Sequence, residues 1–275
     1  MLKKNLQILF ILFILIVGGV VFLIPFFWML STSLKSPGEV FIFPPVWIPQ
    51  KFIWQNYLDI WKLVPFSRFF INSLLYSSIA VVGTLFSSSL AAFVFARMDF
   101  PYKNVIFLLY LATIMVPGAV TIIPLFILMR IFKWIDTYYA LIVPSIFGSA
   151  YATFLLRQFF LTLPKELDDA ALIDGCNPFW IYFYVTLPLS KPALSALGIF
   201  TWLGTWNEFL WPLIVINSPS KMPITAGIGY LQGAYSTRWP LLMAGTTIAV
   251  IPILFVFFIG QKYFIQGITL TGIKG

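Results

Sequence analysis

The chain has no histidine and a single cysteine, Cys176, in 275 residues. One thiol excludes an intrachain disulfide, and without histidine no metal cluster of the usual ligand spacing is available. A serine protease dyad lacks its customary general base. No GxxxxGK[ST] stretch occurs, so nothing points to nucleotide hydrolysis by this chain. Charge is scarce too: Asp, Glu, Lys and Arg make up 9% of the residues, with nine carboxylates in all. An intramembrane aspartyl site needs two neighbouring carboxylates in an apolar segment, and only Glu208 falls in one. Neither catalysis nor a cofactor of its own is therefore expected of this chain.

What is present is apolar surface. At 60% hydrophobic residues, 19% aromatics and a mean hydropathy of +0.96, the chain belongs in a bilayer. The net charge of +8 does not point to nucleic acid, because the 17 Lys and Arg stand singly between apolar runs; attraction to anionic lipid is the simpler account. The expected fold is an all-α membrane protein, a single transmembrane domain over residues 1–275 with six helices.

A basic start, MLKKNLQ, leads into the first apolar run, 8–30. This run exceeds a signal-peptide core and no small-residue cleavage site follows, so it is expected to enter the membrane from the cytoplasm. A Pro- and Trp-rich segment follows, with an interfacial helix expected from Gln55 to Lys62. The second span, 71–96, carries Ser77, Ser78, Gly83, Ser87, Ser88 and Ser89. Such residues permit close helix approach, in the interior of an assembly or against the chain's own helices. The third, 104–129, should kink or break at Pro117, Gly118 or Pro124, and the fourth, 138–160, is interrupted at Pro144. The fifth is expected over 192–216 and the sixth over 239–265, with a polar loop between them. Glu208 would lie inside the fifth, where it needs a partner, an aqueous cavity or a nearby interface. The readings for it are the wall of a pathway, a contact with a partner subunit, or a structural pairing.

Between spans four and five, residues 161–190 form the one acidic patch, with Glu166, Asp168, Asp169 and Asp174. Pro164 and Glu166 suit a helix start, and Gly175 suits the left-handed residue that closes it. Asn177 and Pro178 are a second start signal. On the first helix Leu167, Ala170, Ala171 and Asp174 share one small, flat face that another backbone could approach.

The spacing Asp169, Ala170, Ala171, then Gly175, then Val185, Leu187 and Pro188 resembles the EAA loop of permease subunits of binding-protein-dependent ATP-binding-cassette importers. Asp169 stands in the Glu position and Val185 in the Ile position. Other stretches resemble the second permease of maltose-type carbohydrate importers: Asn72, Ser73 and Leu74; AFVFARMDFPYK from Ala92; TWNEF from Thr205; and the Lys-Gly tail. The resemblance implies a cytoplasmic coupling helix in the groove of an ATPase subunit, with Glu166, Asp169, Ala170, Ala171, Asp174, Gly175, Leu187 and Pro188 at that joint. It also implies a tail, Gly267 to Gly275, that reaches the ATPase pair.

The partners implied are a second permease, two ATPase subunits carrying ATP and Mg, and an extracytoplasmic sugar-binding protein. The substrate would be a carbohydrate, and the location the plasma membrane with both termini cytoplasmic. Asn72, Trp206, Asn207 and Glu208 are the expected pathway residues, Trp206 stacking on a sugar ring and the polar groups bonding its hydroxyls. The positive-inside count decides little, with nine of the 17 Lys and Arg inside and eight outside. The rival class is a secondary transporter or channel, against which stand the absence of an internal repeat and the few intramembrane charges.

Overall fold

The computed structural model describes residues 2–234 and 238–269, and side chains outside 1–4, 233–237 and 262–275. All regular structure among the described residues is helical. α1 spans Leu2–Ser33, α2 Gln55–Leu63, α3 Phe66–Arg97, α4 Lys103–Ala112, α5 Gly118–Ile131, α6 Tyr138–Ile146 and α7 Ala150–Thr162. After α8, Glu166–Ile173, come α9 over Pro178–Leu189 and α10, Lys191–Trp206. The chain closes with α11, Leu210–Val215, α12, Ile224–Ala234, and α13, Trp239–Thr269. Four stretches are long and apolar enough to cross a membrane: Asn5–Ser33, Phe66–Arg97, Tyr138–Thr162 and Trp239–Gln261. The number rises to six if each bent pair counts as one span, α4 with α5 (98°) and α9 with α10 (78°).

By its internal contacts the transmembrane chain divides into two compact units. One holds the residues up to Phe66 together with Ile228–Ile251, the other Ser67–Gly227 with the segment from Pro252 onward. In the first, α1 exposes apolar side chains all round, as a helix facing lipid or another subunit must. The helix expected from Gln55 to Lys62 is there as α2. Its Asn56 donates to the carbonyls of Ser33 (2.9 Å) and Lys35 (3.0 Å), tying it to the end of α1. Lys35 is fully buried with its ammonium 3.9 Å from the centre of the Trp28 ring, and burial lowers its pKa despite Glu39 nearby.

In the second unit the small residues of α3 pack on the chain's own helices, where the fourth apolar stretch breaks. A Cβ on Gly83 would collide with Ile146. Thr84 donates to the carbonyl of Ser145 (2.7 Å), and Ser88 Oγ accepts from Ser149 N–H (3.2 Å). The break itself is not at Pro144, which lies inside α6, but at Gly148, whose φ of +87° only glycine adopts cheaply. Ser149 then caps α7. In the third stretch the break does fall at Pro117, while Pro124 is carried within α5.

Two boundaries differ from expectation. The fifth apolar helix begins at Pro178 and turns through 78° at Ser190, because a π-helical turn, Tyr182–Thr186, carries the chain from the Asn177 cap into a continuous helix. Its far end is Trp206; residues up to Val215 are a separate short helix. The loop expected before the sixth span contains α12.

That loop is tied down by one carboxylate. Asp136 accepts from the N–H groups of Asn217 (3.0 Å) and Ser218 (2.8 Å), from the Ser218 hydroxyl, and from Lys221 Nζ (3.2 Å). Burial pushes its pKa up, but the bonds from Ser218, Lys221 and Asn217 outweigh that and hold it at about 2. A carboxyl lowered on folding stabilises the fold above its ordinary pKa of about 4 and loses that contribution as pH falls through about 2. Asp136→Asn should therefore destabilise the purified protein by about 1–3 kcal/mol at neutral pH. In thermal unfolding, the gap between variant and wild type should shrink as pH drops from about 4 to about 2.

Candidate functional site

Two groups of candidate residues lie in the second unit. The first surrounds α8. Glu166, Asp168 and Asp169 occupy its first turn, where the free N–H groups favour negative charge. Its end is a Schellman motif: Cys176 N–H bonds the Ala171 carbonyl (2.9 Å) and Gly175 N–H that of Leu172 (3.1 Å), with Gly175 at φ +86°. Asn177 Oδ1 then accepts from Trp180 N–H (3.1 Å) to start α9. A helix of eight residues is too short to persist in water on its own, so it depends on this closing motif and on contacts with the rest of the chain.

No residue of α8 is buried. The shared face expected for Leu167, Ala170, Ala171 and Asp174 is split. Ala171 packs with Cys176, Val185 and Leu187 against a core of Ala92, Phe93, Ala96, Leu156, Phe160, Ile181 and Tyr182. Glu166, Asp169, Ala170, Asp174, Gly175 and Pro188 remain exposed. Beside them Ile173 is 88% exposed, and Leu172, Phe179, Trp180 and Tyr184 are exposed as well. Sequence reasoning missed Ile173 because helical spacing alone does not say which side of so short a helix meets the core.

It also missed Arg97. The last residue of α3 sends its guanidinium across to the loop, where Nη2 donates to the Leu163 carbonyl (2.8 Å) and Nε lies 3.2 Å from Asp168 Oδ2. Both side chains are largely buried, at 4% and 16% exposure. Burial raises the Asp168 pKa even against the attraction of Arg97, with Asp169 adding to the rise. The guanidinium links the end of α3 both to the Leu163 carbonyl before α8 and to the first turn of α8.

The second group is where pathway residues were expected. Asn72 is buried and committed: Nδ2 donates to the carbonyls of Ser220 (2.9 Å) and Met222 (3.0 Å), and Oδ1 accepts from Tyr138 (2.9 Å). Next to it Ser73 Oγ accepts from Ile224 N–H (2.7 Å). Trp206 is 1% exposed, stacked on Trp202 at 4.7 Å and edge-on to Phe70 at 5.7 Å, so its faces are covered. Glu208 is not inside a helix; it sits at the break between α10 and α11. Its Oε1 accepts from Trp211 N–H (3.3 Å), and its carbonyl accepts from Thr225 (2.6 Å). The carboxylate's partner is thus the start of the next helix. Asn207 is exposed, with Nδ2 turned back onto the Leu203 carbonyl (2.8 Å). The tail from Gly267 onward lies outside the described side chains.

Residues 83–270 match the family model described as binding-protein-dependent transport system inner membrane component. The arabinooligosaccharides transport system permease protein AraQ of Halalkalibacterium halodurans is 38% identical over 246 residues, covering 89% of this chain and 86% of that protein. The sn-glycerol-3-phosphate transport system permease protein UgpE of Pectobacterium atrosepticum is 35% identical, covering 92% and 93%. A chain in the crystal structure of a bacterial transporter that imports the acidic polysaccharide alginate superposes with a TM-score of 0.80 at 22% identity, covering 94% and 97%.

Because Gly175 has open space around it, any substitution there is penalised through φ alone. Gly175→Val should loosen the end of α8 by about 1–2 kcal/mol. Hydrogen exchange on the purified protein would show faster exchange at Gly175 and Cys176 while the α3 amides are unchanged.

Proposed function

The chain belongs to the inner-membrane components of binding-protein-dependent transport systems, and from that membership we propose that it is the permease subunit of an ATP-driven carbohydrate importer. The names of its sugar-importing relatives support the substrate class, and the apolar helices support a multi-pass place in the inner membrane. It forms the pathway with a second permease, receives sugar from an extracytoplasmic binding protein, and is driven by two separate ATPase subunits. Six spans follow if each bent pair crosses once, so both termini and α8 share one side, which the coupling role makes the cytoplasmic one.

The observation that carries the coupling role is the exposed α8, closed at Gly175 and strapped by Arg97 to the end of a 32-residue helix. Ile173 and Ala170, edged by Glu166, Asp169 and Asp174, offer an apolar centre with an acidic rim to the groove of an ATPase subunit. When that groove moves, α8 carries the motion, and Arg97 delivers it to α3 in addition to the chain's own link into α9. Packed helices shift between discrete arrangements instead of bending continuously, so a small displacement becomes a change of access. In this arrangement Asn72 and Glu208 fix the loops that frame the pathway, and Trp202 and Asn207 are the nearer candidates for contact with substrate.

Reconstitution tests this reading. Vesicles holding the permease pair and the ATPase subunits, supplied with the binding protein, should accumulate arabinose or maltose oligosaccharides only with ATP inside. Flux through the permeases without any ATPase would instead support a secondary transporter or channel. Ile173→Asp should release the ATPase subunits from the purified complex. Arg97→Gln should leave them bound and hydrolysing ATP while uptake falls about tenfold or more, since truncating one side of a buried ion pair costs about 3 kcal/mol or more.

A further inference from the structure

The first compact unit holds a cavity that none of the pathway residues lines. It lies beside the turn after α1, bounded by Val40 and Phe41, by Asn56 and Asp59 of α2, and by Arg238 and Trp239 at the start of α13. Its volume is about 560 Å³, within the range of about 300–1,000 Å³ that small-molecule sites occupy. The walls are braced in advance. Asn56 clamps the carbonyls of Ser33 and Lys35, and Glu39 accepts from the N–H groups of Ser36 (3.2 Å) and Gln50 (3.3 Å). Phe41 and Trp239 meet edge to face at 6.0 Å.

The lining combines one carboxylate, one guanidinium and an aromatic pair. Asp59 Oδ1 accepts from Gln55 (2.8 Å), leaving Oδ2 for another donor, and Arg238 makes no ion pair among the described residues. A net anion would meet Asp59 and a net cation would meet Arg238, so neither class is favoured as a whole. A neutral polyol engages both at once, giving O–H donors to Asp59 and lone pairs to Arg238. Its C–H faces pack on Trp239 and Phe41. We propose that this cavity is a binding subsite for one or two neutral sugar residues. It rests on the carbohydrate-import reading, whose orientation puts the end of α1 and the start of α13 on the extracytoplasmic side, where sugar arrives.

The test uses the purified whole transporter in lipid nanodiscs without its binding protein, exposed to diazirine-bearing arabinotriose and maltotriose, with label sites mapped by mass spectrometry. With at least one of the probes, label should fall on peptides carrying Phe41 or Trp239 and be displaced by excess unlabelled sugar. Asp59→Asn should reduce it about tenfold and Trp239→Ala should remove it, with unchanged ATPase activity certifying assembly. Absence of label in this cavity with both probes overturns the proposal. So does labelling indifferent to Asp59→Asn, or displaced by phosphatidylethanolamine but not by sugar, which would mark a lipid headgroup site. ATP-driven uptake in the same preparation separates the two claims: uptake without label sinks the subsite alone, and label without uptake sinks the importer reading and leaves the subsite.

Discussion

A backbone group freed where an apolar helix breaks has no bulk water to turn to, and this protein meets that constraint almost entirely with neutral side chains. The break after α6 is met by Thr84, Ser88 and Ser149. The segment before α12 is met by Asn72 and Ser73, and the turn after α1 by Asn56. Asn72, Ser73, Thr84 and Ser88 lie on the continuous α3 and reach across to interrupted segments, whereas Ser149 caps its own helix and Asn56 reaches from α2 to the end of α1. The straight helices act as templates on which interrupted ones keep a defined geometry, and a fold with bends of 98° and 78° holds together with few ions.

Where charge is used, it marks a position that must not wander. Asp136 gathers three separate groups of the loop that follows α11. Arg97 and Asp168 join the end of α3 to α8, both largely buried and 3.2 Å apart. The coupling role proposed for α8 would require exposed surface for another subunit to grip and a stiff link into the body of the chain. The exposed Ile173 fits the first requirement and the guanidinium strut the second.

Local signals proved readable where they act over a few residues. Gly175 and Asn177 fix the ends of α8 and α9 because φ and cap bonds are set by the residues themselves. Pro117 breaks its helix, whereas Pro124 and Pro144 do not, since a proline within a helix is tolerated when neighbouring groups take up the freed carbonyl. Trp206 and Asn72 read as ligand contacts because their types suit sugars, yet packing turned both inward. Hydrophobicity does not distinguish a tryptophan lining a path from one closing a core.

The sequence by itself determined the bilayer as solvent, the helical class, the position and caps of the acidic loop, and the importer family, since composition, spacing and turn chemistry are properties of the chain order. Only the tertiary structure decided which face of α8 stays outside, that Arg97 holds it, and that Glu208 caps a helix at a break. Those outcomes depend on which side chains compete for the same volume and the same donors, and residues such as Arg97 and Asp168, or Asn72 and Met222, meet only after the helices have packed.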